Sequence, residues 1–219
     1  MRKLPIFTLI LAALCTAACL ISACGNNIDY SRYVSERRSN IYVYEDDNVK
    51  IKIYCSEKEQ PYCADGIKGE VTPFCEAMVS LPKNPEEVYI SFCGHEGEMN
   101  YQAVENMFYL SVSAEDFKTD EIEVTLTYND ESKTYTALSV RHSGVMTCDE
   151  AVKCVADHDK ELFASLTQNG LFSGEIFVRL LYDEGCYYYV GICDKAKQIT
   201  AYLLDGERGI IIATKQIQG

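Results

Sequence analysis

The chain has 219 residues, of which 47% are hydrophobic and 24% are charged, proportions typical of a globular protein with a substantial core. Acidic residues outnumber basic ones by 33 to 20, and the formal net charge is −13. Because nucleic-acid binders gain most of their affinity from lysine and arginine side chains that neutralise phosphates, this charge disfavours nucleic acid as a partner. It also disfavours adsorption of the body onto anionic lipid headgroups.

The first 23 residues have the pattern of an export signal. Arg2 and Lys3 precede an uncharged, largely apolar stretch from residue 4 to residue 23. This stretch reaches the ~20 residues that a membrane-spanning helix requires, so an uncleaved transmembrane helix is the competing interpretation. The small residues at 16–18 and 22–23 suit a peptidase site better than a lipid-facing helix end, and they favour a cleaved signal.

The segment Ile21-Ser22-Ala23-Cys24 resembles the lipobox of bacterial lipoproteins, in which an aliphatic residue and two small residues precede the acylated cysteine. The resemblance implies that residues 1–23 are removed and that Cys24 receives a fatty acid such as palmitate. The acyl anchor would then hold a water-soluble body at the extracytoplasmic face of the cell membrane. Residues 24–40, which are polar, charged and without periodicity, are predicted to form a flexible tether.

Between residues 41 and 142 apolar residues recur with a period of two, the pattern of half-buried β-strands. The clearest example is Ile122, Val124 and Leu126, which alternate with polar residues. About seven such segments, separated by turn-type clusters such as residues 129–132, indicate a β-sandwich of immunoglobulin-like architecture.

Residues 146–219 are predicted to form an α+β module. Thr147 and Glu150 fit a capping box at the start of a helix, and apolar residues then recur at spacings of three and four as far as residue 166. Asn169-Gly170 is expected to close this helix, and about four strands follow. The whole chain is therefore predicted to be mainly β, with the sandwich followed by a helix and an antiparallel β-meander.

The C-terminal segment resembles the PepSY domain. The resemblance rests on the helix start at Glu150-Ala151, on strands rich in Tyr and Val, and on Leu203-Leu204-Asp205-Gly206-Glu207-Arg208-Gly209-Ile210, since that family commonly ends in an aspartate, three residues, a glycine and a further strand. Arg208 departs from the threonine that often precedes this glycine. The resemblance implies a non-enzymatic module that inhibits or regulates peptidases. Independently of any family, Asp205 and Gly209 are expected to form a tight turn in which glycine supplies a positive φ.

Eight of the 11 cysteines remain if Cys15 and Cys19 are lost with the signal and Cys24 is acylated. An even number in an exported chain fits a disulfide framework, although the sequence does not select the pairing. Reduced, buried thiols that pack as small hydrophobic side chains are the open alternative. The residues concerned are Cys55, Cys63, Cys75, Cys93, Cys148, Cys154, Cys186 and Cys193.

Cys93 and His95 are the best candidates for catalysis, because a thiol, an imidazole and carboxylates surround a glycine there. A neighbouring imidazole can lower the pKa of a thiol, so a Cys-His nucleophile or a transition-metal site is one interpretation, and a polar hairpin turn is the simpler one. The chain lacks the motifs of serine hydrolases, zinc proteases, P-loop proteins and dinucleotide-binding proteins, as well as the C-x-x-C spacing of structural zinc sites.

Tyr187, Tyr188 and Tyr189 could stack on a sugar or a peptide and form the candidate binding surface, although tyrosine also favours half-buried strands. Together with the missing catalytic motifs, this run predicts a non-enzymatic binding or regulatory lipoprotein without cofactor or metal. Its partner would be a protein, a peptide or a cell-wall component. The alternatives are a thiol- or metal-dependent enzyme that uses Cys93 and His95, and a structural lipoprotein of the cell envelope.

Overall fold

The chain is built mainly from β-strands, as its period-two pattern predicts. The computed structural model describes residues 28–60 and 69–218, so the lipobox, Cys24 and Cys63 lie outside the described ranges. A 3-10 turn at Tyr30–Tyr33 comes first. The strands that precede the helices are β1 (Val34–Glu45), β2 (Lys50–Glu59), β3 (Val71–Ser80), β4 (Tyr89–Phe92), β5 (His95–Glu98), β6 (Asn100–Gln102), β7 (Met107–Val112), β8 (Glu121–Tyr128) and β9 (Glu131–Ser139).

Two short helices and six further strands complete the described chain. They are α1 (Cys148–His158), α2 (Lys160–Ser165), β10 (Thr167–Gln168), β11 (Leu171–Phe172), β12 (Glu175–Tyr182), β13 (Cys186–Cys193), β14 (Gln198–Asp205) and β15 (Ile211–Gln218). All strands except β10 and β11 belong to one branched sheet with the order β15-β14-β13-β12-β1-β2-β3-β7-β6. A branch of β9, β8, β4 and β5 leaves this path at β1. The prediction of a mainly β chain that also contains helix is therefore confirmed.

Strand β1 is the branch point of the sheet. Along one edge it pairs antiparallel with β2, from Glu36 to Glu45. Its other edge is divided, because residues 34–38 pair in parallel with β12, whereas Tyr42 and Val43 pair antiparallel with β9. A β-bulge between Arg38 and Asn40 separates these two parts and turns the strand from one set of neighbours to the other.

The sheet encloses two hydrophobic cores, and β1 supplies side chains to both. The first core joins β1 to β2, β3, β4, β7, β8 and β9, and it includes the fully buried Tyr42. The second core lies between the helices and β12, β13 and β14, and it includes Val34 and Ile41 of β1. Thus each core includes side chains of β1, Tyr42 in the first core and Val34 and Ile41 in the second. Val34 lies before residue 41, where the sandwich is predicted to begin.

The flexible tether predicted for residues 24–40 is wrong from Tyr30 onward. Val34 and Ser35 are each only 3% exposed, and they begin a strand that lies in the interior of the sheet. The prediction was based on the polar character of this segment. In the structure, its polar side chains form hydrogen bonds and ion pairs with residues far away in the sequence. The Ser35 hydroxyl donates to Oε1 of Glu175 at 2.9 Å, and Nη2 of Arg37 lies 2.6 Å from Oδ1 of Asp149.

The predicted capping box at the start of α1 is confirmed. The Glu150 N–H donates to Oγ1 of Thr147 at 3.2 Å, and the Thr147 N–H donates to Oε2 of Glu150 at 2.7 Å. These two bonds satisfy backbone donors that the first turn of a helix otherwise leaves free. Ala151, Val152 and Val155 then face the second core, where all three are buried.

The helix does not run to residue 166 as predicted. Asp159 has a non-helical backbone, and its carboxylate accepts the Leu162 N–H at 3.0 Å, so it ends α1 and caps α2. Asn169 and Gly170, with φ values of +53° and +79°, form the turn of the β10–β11 hairpin instead of closing a helix.

The predicted tight turn between β14 and β15 is confirmed. One carboxylate oxygen of Asp205 accepts the N–H groups of Glu207 and Arg208 at 3.0 and 2.8 Å. Gly209 has a φ of +68°, which glycine adopts without the steric penalty that other residues incur.

We expect the substitution Thr147→Ala to lower the free energy of unfolding by about 1 kcal/mol, because it removes one of the two bonds of the capping box. Thr147→Ser keeps the hydroxyl and should remain close to the parent protein. Urea denaturation followed by circular dichroism measures both values. Equal stability of the alanine and serine variants would contradict the assigned role of the cap.

Candidate binding surface

The three consecutive tyrosines of β13 do not share one face. Tyr188 points into the second core, is fully buried, and donates its hydroxyl to the Met146 carbonyl at 2.7 Å. Burial raises the pKa of its phenol. The inclusion of Tyr188 in the predicted binding surface is therefore wrong, because successive side chains of a strand point to opposite faces. Tyr187 and Tyr189 are half-buried on the face away from the helices.

Tyr189 belongs to a continuous row of aromatic and arginine side chains across the sheet. It lies opposite Arg179 of β12, and Arg179 lies opposite Arg38 of β1. The guanidinium carbon of Arg38 is 4.2 Å from the ring centroid of Tyr54 on β2. We name this surface the tyrosine–arginine face and define it as Arg38, Tyr54, Phe177, Arg179, Tyr187 and Tyr189.

Arg179 is held in place by an ion pair with Glu36 of β1. Its Nε and Nη2 atoms donate to the two carboxylate oxygens of Glu36 at 2.5 and 2.8 Å, an arrangement that fixes the plane of the guanidinium group. The guanidinium carbon lies 5.9 Å from the Phe177 ring and 5.7 Å from the Tyr189 ring. Arg179 is thus both charge-compensated and positioned against aromatic rings.

The ion pair changes the pKa of both partners. Burial alone would raise the pKa of the Glu36 carboxyl, but the hydrogen bond and the charge of Arg179, together with Lys58 and Arg38, leave that pKa below its usual value. The hydrogen bond to Glu36 raises the pKa of the Arg179 guanidinium, against the effect of burial. Both groups are therefore charged at neutral pH.

Arg38, in contrast, has no carboxylate partner among the residues that the structure describes. Its Nε atom is buried and lacks a hydrogen-bond acceptor within the same ranges. Burial lowers the pKa of the guanidinium, while Tyr54 and Glu76 raise it, but an arginine remains protonated at any physiological pH. The tyrosine–arginine face therefore carries the Arg38 guanidinium group, of which at least the Nε donor has no hydrogen-bond acceptor among the described residues.

Gly191 allows the Tyr189 ring to lie flat on the sheet. A Cβ atom at residue 191 would come within 2.8 Å of the Tyr189 hydroxyl, closer than real Cβ contacts allow. The absence of a side chain at this position thus leaves room for the aromatic ring that Arg179 approaches.

A polar cavity of about 520 Å³ at the branch point of the sheet is a weaker candidate for ligand binding. Its lining side chains are basic and acidic in equal number, so it offers no preference for a ligand of either sign. The charged residues are Arg37, Lys118, Arg141, Glu57, Glu115 and Asp116.

Cys93 and His95 form a hairpin turn, not a site with nucleophile geometry. Cys93 and Gly94 have φ values of +48° and +80° and connect β4 to β5, with Phe92 opposite His95. Burial and the nearby Cys75 raise the pKa of the Cys93 thiol, whereas an activated cysteine nucleophile needs a lowered pKa. Within residues 28–60 and 69–218, no cluster of three or more histidine, cysteine, aspartate or glutamate side chains could hold a metal ion.

The described cysteines are free thiols in this structure, and most are buried. The Cys148 thiol donates to the Arg38 carbonyl at 3.4 Å, and the Cys186 thiol donates to the Val140 carbonyl at 3.3 Å. Cys93 is exposed and Cys154 is partly exposed. The buried members are Cys55, Cys75, Cys148, Cys186 and Cys193.

Comparison with known proteins gives no family assignment. No protein-family model matches the chain, and no curated protein and no solved structure matches it.

Neither of the two described helices has the length and apolar character needed to cross a bilayer.

Sequence reasoning missed Glu36, Arg38 and Arg179 as members of a common surface. Arg179 could have been found, because Ile176, Val178 and Leu180 alternate with it and place it on the face opposite the core. Glu36 and Arg38 carry no such signal, since the bulge in β1 interrupts the alternation.

We expect Glu36→Gln to destabilise the fold by about 1–2 kcal/mol at pH 7, a value between those of exposed and buried ion pairs. Because the folded-state pKa of Glu36 is lowered, its ionised form contributes stability above the unfolded-state value near pH 4.5, and this contribution is lost as the pH falls through the folded-state pKa. The stability difference between parent and variant should therefore shrink below pH 4.5.

Urea denaturation at several pH values measures this difference. Glu96→Gln removes an exposed carboxylate of β5 and serves as the control, because it should change stability little at any pH. A difference for Glu36→Gln that stays constant from pH 7 to pH 3 would contradict the assigned ion pair.

Proposed function

We propose that this chain is a bacterial lipoprotein, cleaved before Cys24 and held by an acyl anchor at the extracytoplasmic face of the cell membrane. The lipobox-like segment Ile21-Ser22-Ala23-Cys24 supports this proposal, as does the basic start followed by an apolar stretch. The acidic body has no other evident means of adhering to an anionic membrane, so the anchor would determine its location.

The proposed architecture is an immunoglobulin-like β-sandwich in residues 41–142 followed by a PepSY-like α+β module in residues 146–219. The first core, to which seven strands with antiparallel pairing contribute, supports the sandwich. The helix α1 packed against β12 and β13, followed by the Asp205–Gly209 turn and the β14–β15 pair, supports the likeness to PepSY. The role implied by that likeness is regulatory and non-enzymatic.

The proposed activity is the binding of a carboxylate-bearing peptide segment on the tyrosine–arginine face. The single observation that carries this proposal is Arg38, a protonated guanidinium that lies against the ring of Tyr54 and has no ion-pair partner among the described residues. A guanidinium group binds a carboxylate through parallel hydrogen bonds, which gives it both strength and orientation. Tyr187 and Tyr189 would supply the rigid aromatic contact area that binding hot spots commonly contain.

Charge complementarity favours an acidic ligand on the tyrosine–arginine face. The net charge of the body repels anions, because acidic residues outnumber basic ones. On the tyrosine–arginine face, Glu36 forms an ion pair with Arg179, whereas Arg38 forms no ion pair with a described residue, and Glu76 and Glu36 act on it only from a distance. A ligand carboxylate that reaches Arg38 would supply the ion-pair partner that this guanidinium group lacks.

A peptide array tests the proposed activity with the detergent-extracted protein. Each ten-residue peptide that carries Asp or Glu is matched to the same peptide with Asn or Gln. We expect binding to a subset of the acidic peptides and loss of binding to their amide counterparts. Arg38→Gln should weaken this binding by about 10- to 100-fold, as expected for one hydrogen-bonded charge pair.

Arg208→Gln is the matched control, because Arg208 is exposed in the turn between β14 and β15 and is not one of the residues that define the tyrosine–arginine face. It removes the same charge and should bind like the parent protein. Equal binding of acidic and amide peptides, or equal effects of the two arginine substitutions, would overturn the proposed activity.

The anchor has its own test in the intact mass of the protein extracted from membranes. We expect a chain that begins at Cys24 and carries added fatty acid, and we expect Cys24→Ser to abolish both the cleavage and the added mass. Recovery of the parent chain with residues 1–23 intact and without acyl groups would contradict the proposed location.

A further inference from the structure

Cys55 and Cys75 face each other across the β2–β3 pair. The two residues are directly opposed in the antiparallel register, and both side chains point into the first core. The Cys75 thiol donates to the Cys55 sulfur at 3.4 Å, and both residues are fully buried. The structure thus brings two thiols of one chain into direct contact.

This placement meets the backbone requirement of a disulfide. Directly opposed residues of antiparallel strands have Cα atoms about 4.5–5.5 Å apart, within the range of about 4.4–6.8 Å found for bonded cysteines. Strand register and side-chain direction are already correct. Only a short approach of the two sulfur atoms would be needed to form the bond.

Other described thiols occupy different surroundings. Those of Cys148 and Cys186 donate to backbone carbonyls of β1 and of the segment after β9, and Cys93 lies exposed in the β4–β5 turn. The contact between sulfurs therefore singles out the pair on β2 and β3 from among the cysteines that the structure describes.

We propose that Cys55 and Cys75 form a cross-strand disulfide when the folding chain meets an oxidant of the disulfide class. One cysteine thiolate attacks a sulfur of the oxidant, forms a mixed disulfide and releases one oxidant thiolate. The second cysteine thiolate then attacks the first cysteine sulfur and releases the other. The two protons of the cysteine thiols pass to the released thiolates, so the protein loses two electrons and the oxidant gains two.

The burial of the pair determines when this reaction can occur. The hydrogen bond from Cys75 and burial both raise the pKa of the Cys55 thiol, so folding lowers the fraction of Cys55 that is present as the reactive thiolate. An oxidant also cannot reach two fully buried sulfurs without opening of the core. Oxidation is therefore expected to accompany folding, and a protein that has folded in the reduced state should form the disulfide much more slowly.

Refolding in a glutathione buffer tests the proposal and does not depend on the ligand or the anchor. The extracted protein is unfolded and reduced, then refolded with reduced and oxidised glutathione, and its remaining thiols are alkylated. Peptide mapping should show Cys55 linked to Cys75, with a mass lower by two hydrogen atoms than the two reduced peptides. The same buffer added to the folded, reduced protein should form this link at least about tenfold more slowly.

Two substitutions provide the controls. Cys55→Ser should leave Cys75 alkylated, whereas Cys148→Ser should leave the Cys55–Cys75 link intact. The proposal is overturned if the parent protein refolds with both residues alkylated, or if either one is linked to a different cysteine, including Cys63. Because the parent protein alone decides between these outcomes, a folding defect in a variant does not affect the result.

Discussion

The pairing of β1 with three other strands is the constraint on which the rest of the structure depends. Through residues 34–38 it continues the sheet into β12, and through Tyr42 and Val43 it joins β9. Because it also pairs with β2 along its length, the same backbone segment closes both cores. The two halves of the chain therefore share one element, and neither half has a complete set of strand partners without it.

This shared strand also builds the candidate binding surface. On one face of β1, Glu36 binds Arg179 and Arg38 stacks on Tyr54, while Arg37 reaches Asp149 at the start of α1 on the other face. The polar residues that begin β1 thus join the sheet to the helix and place a guanidinium group among tyrosines. The surface that we propose to bind a ligand lies where the two cores meet, because β1 contributes both to the cores and to this surface.

Local patterns in the sequence predicted local structure well. The capping box at Thr147 and the turn at Asp205 depend on residues three or four positions apart, and the clear alternation around Val124 predicts a strand. The sequence failed where partners are distant in the chain. Residues 34–40 read as a tether because nothing local reveals that Ser35 and Arg37 have partners more than 100 positions away. Likewise, the alternation of a strand could have separated Tyr188 from its two neighbours, but only the structure shows which face the core occupies.

Equilibrium unfolding with one probe in each core tests the central role of β1 most directly. Tyr42 of the first core and Tyr188 of the second are both fully buried, so each can carry a single fluorine reporter observed by ¹⁹F NMR during urea titration. If β1 unites the cores, the native signals of both tyrosines should disappear at the same urea concentration. Two clearly separated midpoints would show that the halves unfold independently and would contradict this account.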